Sequence, residues 1–256
     1  MRNPRAGFQE RERAFFDDLV ARTGDTWWGN TGPAGRCRLE RRAALVASRL
    51  GAGARVLELG CGAGAFTVPL LQAMPKIELH SVDISAACIN AATRRAARFQ
   101  NVRFITADIL DLPPLGLFDA VVGNGILHHL PVEPALAIVG ALLRPGGHLI
   151  FFEPNVLNPH VAFEKLVRPI GALLGNTPDE RAFSRFYAIR VVANAGLAAA
   201  SAKPIEFLHP KTPPWLLPAA VRITRLVERL PLLREFAGSL VISAEKPAGT
   251  CEAVSA

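Results

Sequence analysis

Between Val56 and Thr67 the chain reads VLELGCGAGAFT, an apolar run that breaks into Gly60, Gly62 and Gly64 and resumes in helix-forming residues. Glycine permits a tight bend and lets a ligand lie against the main chain, and the first turn of the following helix offers N–H groups without intrahelical partners. A nucleotide-like cofactor suits such a loop. Gly60, Gly62 and Ala65 also fit the GxGxxA form of a dinucleotide site, with Asp83 19 residues after Gly64. Glycine spacing and that acid therefore leave a nicotinamide dinucleotide and another adenosyl ligand both open.

The carboxylates discriminate. Glu58 stands two residues before the loop, where a pyrophosphate would be repelled and a cation drawn in. Three successive apolar runs end in an acid: Glu58, Asp83 in HSVDIS and Asp108 in ITADIL. At the carboxyl ends of parallel strands these side chains would share one crevice, where they suit a cation, two ribose hydroxyls and an adenine amino group. The segment Phe118 to Leu130 brings Asn124 and His128 to the same edge, and FFEP brings Glu153. His128 is the first candidate for a general base toward a neutral hydroxyl, and Glu153 the second. Cys61 reads as a small buried filler rather than a nucleophile, because no thiol-activating base stands near it in sequence.

Positioning these groups requires a parallel sheet. Residues 54–59, 77–82, 102–106, 118–122 and 148–152 read as strands, and 65–73, 85–99 and 132–143 as helices between them, with LRPGG turning sharply before the fifth strand. Short apolar runs separated by helices imply strands covered on both faces, an α/β doubly wound sheet. Residues 1–50 add two helical stretches around a Gly/Thr-rich segment carrying Trp27 and Trp28, candidate lid aromatics. After Pro154 come an insertion, a helix near 181–195, a strand near 200–207, an amphipathic helix at 219–230 and a last strand at 239–244.

Composition bounds the class. Half of the 256 residues are hydrophobic and 20% charged, enough for a large core in one elaborated domain. Cys37, Cys61, Cys88 and Cys251 form no CxxC pair and no metal-ligand spacing with histidine, so no metal site is expected, and a reducing cytoplasm fits. No apolar run reaches the length needed to span a bilayer. The net charge is +7, but 24 of the 29 basic residues are arginines spread along the chain, with a single tyrosine, Tyr187. Without a basic stripe interleaved with stacking aromatics, nucleic acid is not an expected partner.

The series ExGxGxG, D, AD, FD and LxPGG over roughly residues 50–155 resembles the class I S-adenosylmethionine-dependent methyltransferases, in particular bacterial small-molecule members. The resemblance implies a Rossmann-like seven-stranded sheet with the last strand antiparallel and inserted beside the sixth. It implies S-adenosyl-L-methionine as cofactor, with Gly60, Cys61, Gly62 and Gly64 around its methionine portion and Glu58 toward its amino group. It further implies Asp83 on the ribose with Ile84 against the adenine, Asp108 on the adenine amino group beside Ile109, and Asn124 near the methionine end.

Residues 1–256 are thus expected to form one methyltransferase domain, with a helical cap (1–50), a cofactor-binding core (51–155) and an acceptor side (156–256). The expected acceptor is a small, partly apolar molecule, lipid-like or anionic, methylated on oxygen. Asn155, Asn158 and His160 beside Val156, Val161, Phe163 and Leu166 suggest its pocket. Arg38, Arg41 and Arg42 are candidates for the methionine carboxylate, at least two of them expected on solvated surface. The amphipathic helix, with Leu216, Leu217, Ala220, Val221, Thr224, Val227 and Leu230 on one face, is expected to cap the pocket, contact a second copy or touch a membrane peripherally. A nicotinamide-dependent oxidoreductase and a non-catalytic cofactor-binding partner protein are the alternatives. DNA amino-methylation is disfavoured, since Asn124-Gly125-Ile126-Leu127 lacks the Pro-Pro-aromatic signature of such enzymes.

Overall fold

The computed structural model describes residues 4–23, 31–166 and 182–248. Trp27, Trp28 and Cys251 lie outside them. Two helices, α1 (Pro4–Thr23) and α2 (Pro33–Ala47), precede the alternating core β1 (Arg55–Leu59), α3 (Thr67–Ala73), β2 (Glu78–Asp83), α4 (Ala86–Arg95), β3 (Val102–Thr106), β4 (Phe118–Asn124), α5 (Val132–Leu142) and β5 (Leu143–Pro154). The chain then adds α6 (Pro159–Leu166), α7 (Arg185–Asn194), β6 (Ala198–Ile205), α8 (Leu217–Val227) and β7 (Ser239–Glu245).

The strands form one seven-stranded sheet in the order β3-β2-β1-β4-β5-β7-β6. The first five are parallel, and β7 runs antiparallel between β5 and β6. The order reverses between β1 and β4, so the carboxyl ends of those strands open the crevice where ligands of such sheets lie.

Residues of each strand alternate between two cores. Leu57, Leu59, Val121 and Phe151 pack toward α5 and α7, whereas Val56, Ala120, Val122, Ile150 and Phe152 pack toward α2 and α3. Helix starts are set by local chemistry. Ser85 Oγ accepts from Cys88 N at 3.0 Å and caps α4, and Ser184 Oγ accepts from Tyr187 N at 3.1 Å and caps α7. The fifth strand starts earlier than its apolar run: Leu143 already pairs with Phe118, and the strand irregularity that follows carries the LRPGG segment into the sheet. Gly147 is needed there, because a Cβ would stand 2.9 Å from Arg144 O and 3.2 Å from Phe118 O.

Candidate functional site

At the sheet switch a cavity of about 540 Å³ opens, bounded by the glycine loop, the tips of β2 to β5, and α1. The loop enters it through backbone that L-residues avoid: φ is +65° at Gly60, +52° at Gly62 and +77° at Gly64. At Gly60 a Cβ would lie 2.4 Å from Ile126 Cδ1, so a side chain there would displace the first residue after β4's turn. Gly60, Cys61 and Gly62 line the cavity. Gly64 does not; its Cα sits against α4, where a Cβ would come within 3.1 Å of Ala92. Close packing of loop and helix is what that glycine provides.

Asp83 and Asp108 both face the cavity, each followed by an apolar neighbour in its wall, Ile84 and Ile109. Asp83 Oδ2 accepts from Gly62 N at 2.8 Å and Oδ1 from Ser85 N at 2.9 Å, which ties the tip of β2 to the glycine loop. Burial raises its carboxyl above the ordinary value, with those two N–H groups pulling the other way. Asp108 accepts from Leu110 N at 2.9 Å and from the Gln9 side-chain amide, so α1 reaches across the crevice. Gln9, Glu12 and Phe16, at helical spacing, are the residues of α1 that face the cavity.

Glu58 stands behind the loop. The pleat of β1 places it with Val56 on the α2/α3 face, 1% exposed, where Oε2 accepts from Thr67 Oγ1 and Ser81 Oγ, both at 2.7 Å. Oε1 is buried without a hydrogen-bond partner. Burial raises this carboxyl to about 7, against the two hydroxyls and with the help of Asp83. The three strand-end acids therefore converge as two lining groups and one supporting group. The Cys61 thiol is pushed up by burial and by Asp83 and Glu58, which keeps it protonated and unreactive.

The tips of β4 and β5 supply a coupled pair. His128 Nδ1 lies 2.6 Å from Glu153 Oε2, while Glu153 Oε1 accepts from Ile126 N at 3.0 Å and Leu127 N at 2.8 Å. Both oxygens of Glu153 are engaged, a geometry that fits a partner orienting His128 better than a second base. The contact with a carboxylate fixes the orientation of the His128 ring at the cavity wall. His129 packs instead under α1, its Nδ1 3.1 Å from Glu12 Oε2 and its ring 5.5 Å from that of Phe16.

Sequence reasoning missed Glu206. It is buried at the end of β6 with φ +72°, its oxygens taking both arms of Arg42 and the guanidinium of Arg38, the latter at 3.0 Å. Burial opposes its ionisation, but Arg42 and Arg38 outweigh it and hold the carboxyl at about 2. Arg42 also donates to Asn124 Oδ1 at 2.5 Å and Ser239 Oγ at 2.8 Å. Arg41 pairs through both arms with Glu228 of the segment after α8, at 2.7 and 2.6 Å. The expectation that at least two of these arginines are solvated surface is corrected: all three are ion-paired, because α2 packs against a late, acid-bearing part of the chain. Arg38, Arg42 and Asn124 line the cavity.

On the acceptor side Asn158, His160 and Val161 line the cavity. Asn155 does not, since its amide donates to Glu235 O and Ala237 O, both at 2.8 Å, and Val156 and Phe163 are exposed. Nothing is described for the Leu166 side chain.

Residues 56–147 match the family model of a methyltransferase domain. Over residues 56–147 the chain thus carries a methyltransferase domain, of the S-adenosylmethionine-dependent kind. A malonyl-[acyl-carrier protein] O-methyltransferase of Paenibacillus sp. (strain JDR-2) is 33% identical over 126 residues, covering 46% of each chain. A trans-aconitate 2-methyltransferase of Deinococcus radiodurans is 40% identical over 102 residues, covering 40% of this chain and 38% of that one. The chain thus spans about half or less of these relatives. The methyltransferase fold extends further. The N-methyltransferase NodS of Bradyrhizobium japonicum WM9, solved with S-adenosylhomocysteine, superposes with TM-score 0.60 at 21% identity over 91% of this chain and 98% of that one. Magnesium protoporphyrin IX methyltransferase of Synechocystis PCC 6803 does so with TM-score 0.62 at 17% identity over 93% and 99%. These matches displace the nicotinamide alternative. The cavity suits S-adenosylmethionine on its own terms: a glycine loop in backbone that L-residues avoid, and two lining carboxylates, each followed by an isoleucine, able to accept from hydroxyl and amino donors.

Proposed function

We propose that this methyltransferase acts on a hydroxyl of a small, partly apolar acceptor, with His128 as general base and Glu153 as its positioning partner. The observation that carries this reading is the 2.6 Å contact between His128 and Glu153 in the wall of the cofactor cavity. When bound, S-adenosylmethionine supplies an activated methyl group on a sulfonium. The protein's part is alignment, desolvation and one proton. Gly60, Cys61 and Gly62 would hold the methionine portion, Asp83 the ribose hydroxyls, and Asp108 with Ile84 and Ile109 the adenine. Asn124 is held by Arg42 near the methionine end. In that transfer His128 would take the acceptor's hydroxyl proton, and the Glu153 carboxylate would stabilise the resulting imidazolium.

Oxygen as the accepting atom is supported by the name of the Paenibacillus relative. The acceptor region is mixed, with Asn158, His160 and His209 beside Val161, Phe207 and Leu208. The test has two steps. Titration calorimetry is expected to show S-adenosylhomocysteine binding at micromolar levels and no binding of NAD. Labelled methyl is then expected to pass from S-adenosylmethionine into a hydroxyl-bearing compound of a cell extract. Failure of the first step removes the cofactor reading, and binding without transfer marks a non-catalytic partner protein.

A further inference from the structure

Helix α8 buries only Thr224 fully, and its inward face is Leu217, Ala220, Val221, Thr224 and Val227. The sequence reading placed Leu216 and Leu230 on that face, but both are exposed, and Ile223 and Leu226 point outward with them. At 100° per residue the outward surface divides in two: Ile223, Leu226 and Leu230 along one half, Arg222, Arg225 and Arg229 along the other. Apolar exposure continues on both sides. Trp215 is 79% exposed and Leu232 81%, with Leu233 and Phe236 close to half exposed. The C-terminal end of the helix is anchored, since Glu228, one residue beyond it, is paired with Arg41 and accepts from Glu206 N at 2.7 Å.

This surface continues to the cavity mouth. Phe207, Leu208, His209 and Pro210 line the cavity, and the chain reaches Trp215 after four further residues. From the other side, Asn158, itself a lining residue, donates to Phe236 O at 2.8 Å, which joins the exposed Leu157 and Phe163 to the Leu233–Phe236 turn.

We propose that residues 215–236 dock this protein on an anionic phospholipid bilayer, with the cavity mouth facing the lipid. The apolar half enters the acyl boundary, and the arginines extend to the headgroup phosphates beside it. Charge favours this occupant over a second copy. Both acids of the stretch are already used, Glu228 by Arg41 and Glu235 by Arg185 at 2.6 Å. A two-fold contact would therefore set Arg222, Arg225 and Arg229 against one another without counter-charge. The docking stands apart from the methyl-transfer reading, and it would let a lipid-like acceptor reach the site without crossing water.

The test is sedimentation of the full chain with vesicles of phosphatidylcholine alone or mixed with phosphatidylglycerol. Binding to the anionic vesicles is expected at low salt, weakening as salt rises. It should fall about tenfold or more in the triple variant Arg222→Gln, Arg225→Gln, Arg229→Gln and in the double variant Ile223→Glu, Leu226→Glu. These positions are exposed, so both variants are expected to keep the wild-type affinity for S-adenosylhomocysteine, which reports folding and the cofactor site independently of docking. No sedimentation of wild type at low salt overturns the proposal. So does undiminished sedimentation of either variant, or a dimer seen by light scattering that Ile223→Glu, Leu226→Glu dissolves while vesicles bind neither form.

Discussion

Arg42 on α2 and Glu206 at the end of β6, 164 residues apart, meet as a two-point ion pair inside the cavity wall. A carboxylate so held in the interior is stabilised only while its cations remain, and removing a partner leaves a buried charge uncompensated.

Arg42→Ala is therefore expected to cost about 3 kcal/mol or more in urea unfolding. The same pair sets an acid limit. Glu206 titrates at about 2 in the fold against an ordinary 4.5, so its contribution is fully present above 4.5 and is lost as the pH falls toward 2. Its size is on the order of 3 kcal/mol. A Glu206→Gln variant with an unchanged acid unfolding profile would contradict this assignment.

Glu58 behaves in the opposite sense. Its folded carboxyl keeps a proton to about 7 where the unfolded one releases it near 4.5, so stability falls as pH rises between those values. Glu58→Gln keeps an acceptor for Thr67 and Ser81 and removes the charge. It is expected to raise stability at pH 8 by ~1 to 3 kcal/mol and to flatten the wild-type slope below pH 7. Thermal unfolding across pH 4.5 to 8 measures both, and a flat wild-type profile would refute the buried-acid reading.

His128→Ala is expected to lower turnover on a neutral hydroxyl acceptor by about 10² to 10⁴. Affinity for S-adenosylhomocysteine should stay within about threefold, because under the proposed mechanism the imidazole would act on the accepting atom rather than on the cofactor. Glu153→Gln leaves the ring in place without its anionic partner. A smaller fall and a displaced pH–rate profile are expected, and full activity in either variant would remove the dyad from the mechanism.

Gly60→Ala combines a left-handed backbone, which costs about 1 to 2 kcal/mol for a non-glycine residue, with a clash against Ile126. Gly53→Ala is the control: its φ is +80°, yet nothing lies within 4 Å of the added carbon. Backbone strain should cost both about the same, and the clash should cost Gly60→Ala more. Only Gly60→Ala should also weaken S-adenosylhomocysteine binding in calorimetry, and equal binding by the two variants would show that the loop is not the cofactor wall.

The parallel core was legible because each buried strand is a short apolar run bounded by turn residues, as at Val102–Thr106, where sequence and structure agree at both ends. The boundary of β5 was less so, since glycines let LRPGG join a strand that composition reads as a turn. In the site, the motif residues were recognised but their depth was not. Only the pleat of β1 decides that Glu58 lies behind the loop while Asp83 and Asp108 face the cavity. Glu206 had no local signal beyond a lone acid in the apolar stretch PIEFL, because its partners come from the far end of the chain. The period of α8 was legible, but the exposure of Leu216 and Leu230 at its ends was not. The apolar outward row of Ile223 and Leu226 thus emerged only from the packing.

The antiparallel β7 lies between β5 and β6, although it follows both in sequence. During synthesis β6 therefore leaves the ribosome with no neighbour to pair with, and the sheet stays incomplete until residues 239–245 emerge and insert. Over that interval the facing edges of β5 and β6 would stay unpaired, so this chain is most open to strand mispairing between the synthesis of β6 and that of β7.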